Sequence, residues 1–164
     1  MATGRRIQLA RQIGEYLVAA ELGRRGWVAT TFTGSLPGFD LLAINEDGRI
    51  IEVQVKTLRT GTWQLDAGQY IEVVLEKDVQ RVAGPLVIKT AGRVFAFVRI
   101  ADNAPDEYYL CTLHDLQQLL LRTYRAGKRP KNPRTLHHSL PPKDLAQFKD
   151  NWAVLDAAAK RASA

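Results

Sequence analysis

At 164 residues and 46% hydrophobic, the chain is long enough for one domain with its own core, burying roughly two-thirds of its surface on folding. Its formal net charge of +6 and sequence pI near 9.7 favour a polyanionic partner, most simply a nucleic acid. The single Cys111 excludes an intramolecular disulfide and a cysteine-based zinc site, no apolar run is long enough to cross a bilayer, and the N-terminus lacks a signal-peptide core, so the chain reads as cytoplasmic.

The first element is a helix from about Gly4 to Leu22. Ile13, Tyr16, Leu17 and Ala20 supply an apolar face, and the Gly23 to Gly26 stretch supplies the stop. Glu15 falls beside a second apolar strip, Val18, Ala19 and Leu22. It reads either as the partner of Arg11 in an i, i+4 surface pair or as a partly buried carboxylate pointing over a sheet. Trp27 to Phe32 is strand-like by its β-branched and aromatic content, and Thr33 to Gly38 is a Gly, Ser and Pro loop.

The stretch Gly38 to Thr57 carries the most information. Two apolar runs, Leu41 to Ile44 and Ile50 to Val55, flank a turn at Asp47-Gly48, which is a β-hairpin signal, and both runs look buried on two faces. Glu52, Gln54 and Lys56 alternate along the second run and share a face. A two-residue loop would set Asp40 opposite Val55. A three-residue loop, Glu46-Asp47-Gly48 with Gly48 left-handed, sets it opposite Gln54. We adopt the three-residue loop, because only that register gathers an acid, an amide, a second acid and an amine on one surface. The rival reading of Glu52 and Lys56 is an ordinary exposed ion-pair system on a half-solvated sheet.

Beyond Thr57, Leu58 to Gln69 reads as a loop or an irregular strand extension, in which Arg59 and Trp63 would suit phosphate and base contacts unless Trp63 packs inward. Tyr70 to Leu75 is expected as a strand, Glu76 to Val82 as a short helix, and Pro85 to Thr90 with Arg93 to Ile100 as a second hairpin around Ala91-Gly92. Tyr108 to Cys111 is a further short strand, with Cys111 a buried thiol rather than a nucleophile paired with His114. A helix follows, with Thr112 and Asp115 as a capping box, a Leu113, Leu116, Leu120 stripe, Arg122 and Arg125 in the last turn, and Gly127 as the stop. Gly127 to Pro142 holds Lys128, Arg129, Lys131 and Arg134 before His137-His138, either a solvated loop or an arm that tracks phosphates. Ser139 is placed as the cap of a last helix carrying Leu145, Phe148, Trp152 and Leu155. The domain is drawn over residues 1–156, with 157–164 as a frayed tail.

An Asp at the mouth of a hairpin, followed by an acid or amide two residues before a Lys, resembles the PD-(D/E)xK nuclease superfamily. Gly38-Phe39-Asp40 and Gln54-Val55-Lys56-Thr57 are similar to the variant with Gln in the third motif position, found among intron-encoded homing endonucleases and small uncharacterised relatives. Gly14-Glu15 resembles that family's first-helix Glu, and the resemblance runs well over residues 13–57 and in outline elsewhere. It implies an α/β fold with a restriction-endonuclease-like mixed sheet, and Mg²⁺- or Mn²⁺-dependent hydrolysis of phosphodiesters in duplex or branched DNA. A homodimer is expected, since cutting a duplex takes two nicks. It further implies metal ligation by Asp40, Gln54, the Val55 carbonyl and Glu15, with Glu52 as a compensating carboxylate and Lys56 orienting the attacking water or meeting transition-state charge. Gln54 departs from the usual acid, contributing an oxygen but no charge. The rival classes are therefore a binding module of the same fold without turnover, and a subunit of a larger DNA-processing assembly. His137-His138 with Asn132 lacks the ββα spacing of an HNH site, and there is no P-loop or dinucleotide fingerprint.

Overall fold

In the computed structural model, which describes residues 2–32, 38–90, 92–126 and 132–162, helix α1 spans Ala2–Arg24. Gly14, Val18 and Leu22 recur every fourth residue and are buried, so this stripe, flanked by Ile13 and Leu17, meets the sheet. Tyr16 and Ala20, expected on the main apolar face, are exposed, because each lies two residues from Val18 and so on the far side of the turn.

The strands are β1 Val28–Thr31, β2 Leu41–Ile44, β3 Ile50–Leu58, β4 Trp63–Asp66, β5 Ile71–Glu76, β6 Val79–Pro85, β7 Arg93–Arg99, β8 Glu107–Thr112 and β9 His137–Leu140. Helices α2 Leu113–Thr123 and α3 Val154–Ala162 complete the fold, with 3-10 turns at Ala67–Gln69 and Pro142–Phe148. The central sheet has the order β1-β2-β3-β7-β8 and is mixed: β3 and β7 run parallel, and the other pairs are antiparallel. Each face carries a core. Val53 and Val55 of β3 and Val94 and Ala96 of β7 pack under α1 and α3, while Phe95 and Phe97 face the opposite layer of α2, β4 and β9. Alternation along β3 and β7 thus feeds two cores at once.

The β2–β3 register matches the three-residue loop. Leu41 pairs with Val53 and Ile44 with Ile50, and Asn45 N–H meets the Arg49 carbonyl at 3.1 Å, leaving Glu46, Asp47 and Gly48 as the loop. Gly48 adopts φ of 77°, which a side chain would resist. Ile44 and Ile50 are exposed, so the hairpin is not buried on both faces at its tip. The capping box also forms, with Thr112 Oγ1 accepting from Asp115 N–H and Asp115 Oδ2 accepting from Thr112 N–H.

Other expectations are corrected. Glu76 to Val82 is not a helix: Lys77 and Asp78 take φ of 47° and 63°, making a two-residue turn of the type that matches strand twist, and β5 and β6 pair across it. No second hairpin forms around Ala91-Gly92. Leu86 N–H bonds to the Tyr70 carbonyl, Val87 is fully exposed, and β7 runs parallel to β3 instead. Ser139 caps nothing. It lies in β9, paired with Gln64 of β4, and Pro141-Pro142 force the chain into a 3-10 turn before α3 begins at Val154. Arg125 lies beyond the end of α2, and Gly127 falls outside the described residues. The tail expected to fray from Ala157 is instead part of α3, where Ala158 and Ala159 are buried against the sheet.

The closest approach of α1 to the sheet is at Gly14. A Cβ there would stand 2.0 Å from Thr57 Oγ1 and 3.0 Å from its Cβ and Cγ2. Thr57 is accordingly a packing residue, and its hydroxyl is buried without a hydrogen-bond partner. Helix propensity alone would make Gly14→Ala stabilising by about 1 kcal/mol. The clash reverses this, and the substitution is expected to destabilise by about 1–3 kcal/mol in urea unfolding. In a Thr57→Ala background the loss should largely disappear. A stabilising Gly14→Ala in the wild-type background would show that the contact does not control helix placement.

Candidate active site

The hairpin register carries Asp40 one step beyond the last β2 pair, to the position across from Gln54. Asp40 N–H donates to the Val53 carbonyl at 2.8 Å, and its carboxylate Oδ2 accepts the Val55 N–H at 2.7 Å. In an extended strand the N–H and C=O of one residue point to the same edge, so the Val55 carbonyl is directed to the side on which Asp40 stands. A carboxylate, a strand carbonyl and the Gln54 amide therefore converge where β2 ends.

Gln54, Lys56, Asp40 and Glu15 are all half-buried. Gln54 Oε1 accepts the Tyr70 hydroxyl at 3.3 Å. That phenol is rigid: its ring packs edge-on against Phe95, and its own carbonyl is held by Leu86 N–H and Gln117 Nε2. Burial pushes the Tyr70 pKa up to about 12, so it remains a neutral donor. Nothing in the spacing of the sequence links Tyr70 to Gln54, because the contact depends on the turn at Ala67–Gln69 that carries the chain back over β3.

Two side chains of α1 act on the same place. Burial, and then the charge of Asp40, raise the Glu15 carboxyl above the usual carboxylate range, with Arg11 opposing them. Burial lowers the Lys56 amine, Asp40 works against that shift, and Arg11 adds to it. Glu15 and Lys56 join no ion pair among the described residues, so the surface pair of Arg11 with Glu15 does not form. Burial disfavours the charged form of each, a pattern that recurs at functional sites.

Glu52 does not belong to this group. Arg93, its neighbour in the parallel β3–β7 ladder, donates to Glu52 Oε2 from Nε at 2.9 Å and from Nη2 at 2.8 Å. The pair is nearly buried, and Arg93 also fills the space beside Gly38, where a Cβ would meet Nη2 at 2.8 Å. The guanidinium neutralises the carboxylate expected to compensate for Gln54 and turns it into a structural clamp.

Among the described residues no three Asp, Glu, His or Cys side chains converge as a metal centre. The oxygen donors that the hairpin register and α1 bring to this end of the sheet are two carboxylates, Asp40 and Glu15, the Gln54 amide oxygen and the Val55 carbonyl. All are hard oxygens, and burial first, then repulsion by the charge of Asp40, raise the pKa of Glu15. That set fits a divalent cation such as Mg²⁺ or Mn²⁺, which would relieve the repulsion.

Of the residues expected to contact nucleic acid, Trp63 is corrected. It is buried, donates from Nε1 to the Lys56 carbonyl at 2.9 Å, and packs edge-on against Phe97 and Tyr109, so neither ring face is open to a base. Arg59 is exposed and paired with Asp102 at the surface, and Arg134 is exposed. Lys128, Arg129 and Lys131 lie outside the described residues. Cys111 is buried, and burial pushes its thiol well up, away from nucleophilic use.

No protein-family model and no curated protein sequence matches the chain. Among solved structures it is similar to a bacterial homing endonuclease, with a TM-score of 0.51 at 15% identity over 94% of this chain and 97% of that one. A Holliday junction resolvase from the archaeon Archaeoglobus fulgidus aligns with a TM-score of 0.41 at 15% identity, over 82% and 94% of the two chains. The likeness to the homing endonuclease is one of fold: a central mixed sheet with flanking helices.

A stability test follows from the raised Glu15 pKa. Ionised Glu15 is disfavoured in the folded state, so its unfavourable effect is present above the folded pKa and vanishes as the pH falls and the carboxyl protonates. Glu15→Gln is expected to raise the urea midpoint near pH 8, with the gain disappearing towards pH 4. A gain independent of pH would contradict the electrostatic cause.

Proposed function

We propose that this chain is a divalent-metal-dependent endonuclease that hydrolyses phosphodiester bonds in DNA. The observation that carries this reading is the hairpin register, which sets the Asp40 carboxylate across from Gln54, bonded to Val55 N–H and within electrostatic range of Lys56 and Glu15.

In this reading Asp40, Glu15, Gln54 Oε1 and the Val55 carbonyl hold Mg²⁺ or Mn²⁺. When bound, the ion supplies Lewis-acid polarisation of the scissile phosphate and makes water more acidic. Asp40 is oriented for this work by its bond to Val55 N–H, which fixes one carboxylate oxygen and leaves the other for ligation. The Tyr70 hydroxyl holds the Gln54 side chain against β3. Lys56 has an amine whose proton is less firmly held than that of a solvated lysine. Its neutral form accepts a proton from the attacking water, and its charged form meets the negative charge growing on the phosphoryl oxygens. Exposed Arg59 and Arg134, with Lys128, Arg129 and Lys131, contact flanking phosphates. Two copies of the chain acting together would cut both strands of a duplex. A cytoplasmic location is part of the same proposal, and no helix among the described residues is long and apolar enough to cross a membrane.

The test is cleavage of plasmid and branched DNA with Mg²⁺ or Mn²⁺. Asp40→Asn and Lys56→Met are each expected to lower the rate by about 10²-fold or more with the fold intact. Mn²⁺ should raise the melting temperature of the wild type but not of Asp40→Asn. Cleavage that survives both substitutions would refute the assignment. Binding of DNA without cleavage under any metal would leave a binding module that kept the fold and lost turnover.

A further inference from the structure

A second basic feature lies outside the hairpin site. The C-terminal end of α2, β9 and the start of the Pro142–Phe148 turn enclose an open cleft of about 730 Å³. Arg122, Arg125, Lys143, His137 and His138 line it, with Asp144 as the one carboxylate among the lining residues. We propose that this cleft seats phosphodiester groups of the same DNA that enters the hairpin site, several nucleotides from the scissile bond. This rests on the nuclease reading for the choice of polymer.

The local structure accounts for one of these charges and not the other. Arg122, in the last turn of α2, complements the helix dipole, which is the ordinary reason for a cation there. Lys143 is the second residue of a 3-10 helix, the end at which a cation is disfavoured, and Asp144 beside it is the residue that end favours. Among the described residues neither Arg122 nor Lys143 forms an ion pair, although Glu21, Glu52, Glu76, Asp102 and Glu107 pair with cations elsewhere. Both are exposed on the walls of the cleft, where each can meet an incoming anion.

The floor is fixed by hydrogen bonds within the protein. Thr123 donates its only hydroxyl proton to the Leu119 carbonyl at 2.9 Å, so its 3.2 Å contact with His138 Nε2 requires the imidazole to be the donor. The His138 Nε2–H is thereby committed to Thr123, which holds the ring against the end of α2.

Distance permits one duplex to reach both places. Thr62, at the rim of the cleft, follows Lys56 by six residues, a span of at most roughly 20 Å of extended chain. Trp63 Nε1 on the Lys56 carbonyl shows that the chain is folded back well short of that limit. B-form DNA places a phosphate about every 3.4 Å of axis on each strand, so the separation is about six base pairs or fewer.

The test uses full-length protein carrying Asp40→Asn, in EDTA, and a fluorescent duplex titrated across a salt series. Arg122→Gln with Lys143→Gln is expected to weaken binding by roughly tenfold or more and to reduce the slope of log K against log salt by about 2. Arg81→Gln, on the β5–β6 hairpin, should leave that slope unchanged. Circular dichroism and urea midpoints check that each variant folds. An unchanged slope in the double variant overturns the proposal. So does saturable binding of inorganic pyrophosphate that the double variant loses while DNA binding stays intact, since that marks a small-phosphate pocket. The two readings fail separately: cleavage with an unchanged slope removes the cleft alone, and a reduced slope without wild-type cleavage removes the nuclease activity alone.

Discussion

The bond from Val55 N–H to the Asp40 carboxylate is the constraint on which the site depends. It occurs where β2 has ended and β3 continues, so a side chain takes over the place in the ladder that a backbone carbonyl would have filled. The strand edge is satisfied, and at the same point an acid is pinned beside a carbonyl directed to its side. The missing methyl of Gly14 makes the arrangement reachable from the helix layer. Because α1 rests directly on Thr57, Glu15 is half-buried and feels the charge of Asp40, and Arg11 adds to the lowering that burial imposes on the Lys56 amine.

Charges in this molecule divide into two kinds. Glu52 with Arg93, and Glu107 with Lys149 and Arg99, are matched, and in Glu107 the Lys149 hydrogen bond holds the carboxyl below the usual range. Those pairs hold strands and turns together. Glu15 and Lys56 are half-buried, shifted towards their neutral forms, and outside any ion pair among the described residues. A fold that carries such groups gives up stability at the place where a ligand can restore it. The contrast separates Glu52 from Lys56 although the two alternate on one strand and look alike in sequence.

Much of the frame was legible because it rests on short-range chemistry. The loop at Glu46 to Gly48 follows from one residue able to take positive φ, and the start of α2 follows from Thr112 and Asp115 three residues apart. The errors came where a short-range signal had two outcomes. Lys77 and Asp78 are ordinary helix-surface residues, yet both adopt positive φ in a tight turn because β5 and β6 gain a ladder by doing so. Ser139 has the chemistry of a cap, and the pairing of β9 with β4 used its backbone instead. Trp63 beside Arg59 suggested an aromatic surface, but the ring is drawn into the second core by Phe97 and Tyr109.

The sequence by itself determined the order of the first helix and three strands and the alternation of Glu52, Gln54 and Lys56, and it narrowed the hairpin to two registers, of which the structure shows the one that puts Asp40 opposite Gln54. Each of these depends on neighbours within a turn or one hairpin, where periodicity and backbone sterics decide. The tertiary structure alone decided that β7 lies parallel to β3, and hence that Arg93 takes Glu52 out of the site. It also decided that Tyr70 touches Gln54 and that α1 approaches closely enough for Glu15 to feel Asp40. Those contacts join residues 16 to 41 positions apart, and their geometry comes from packing two cores on one sheet, which no local pattern encodes.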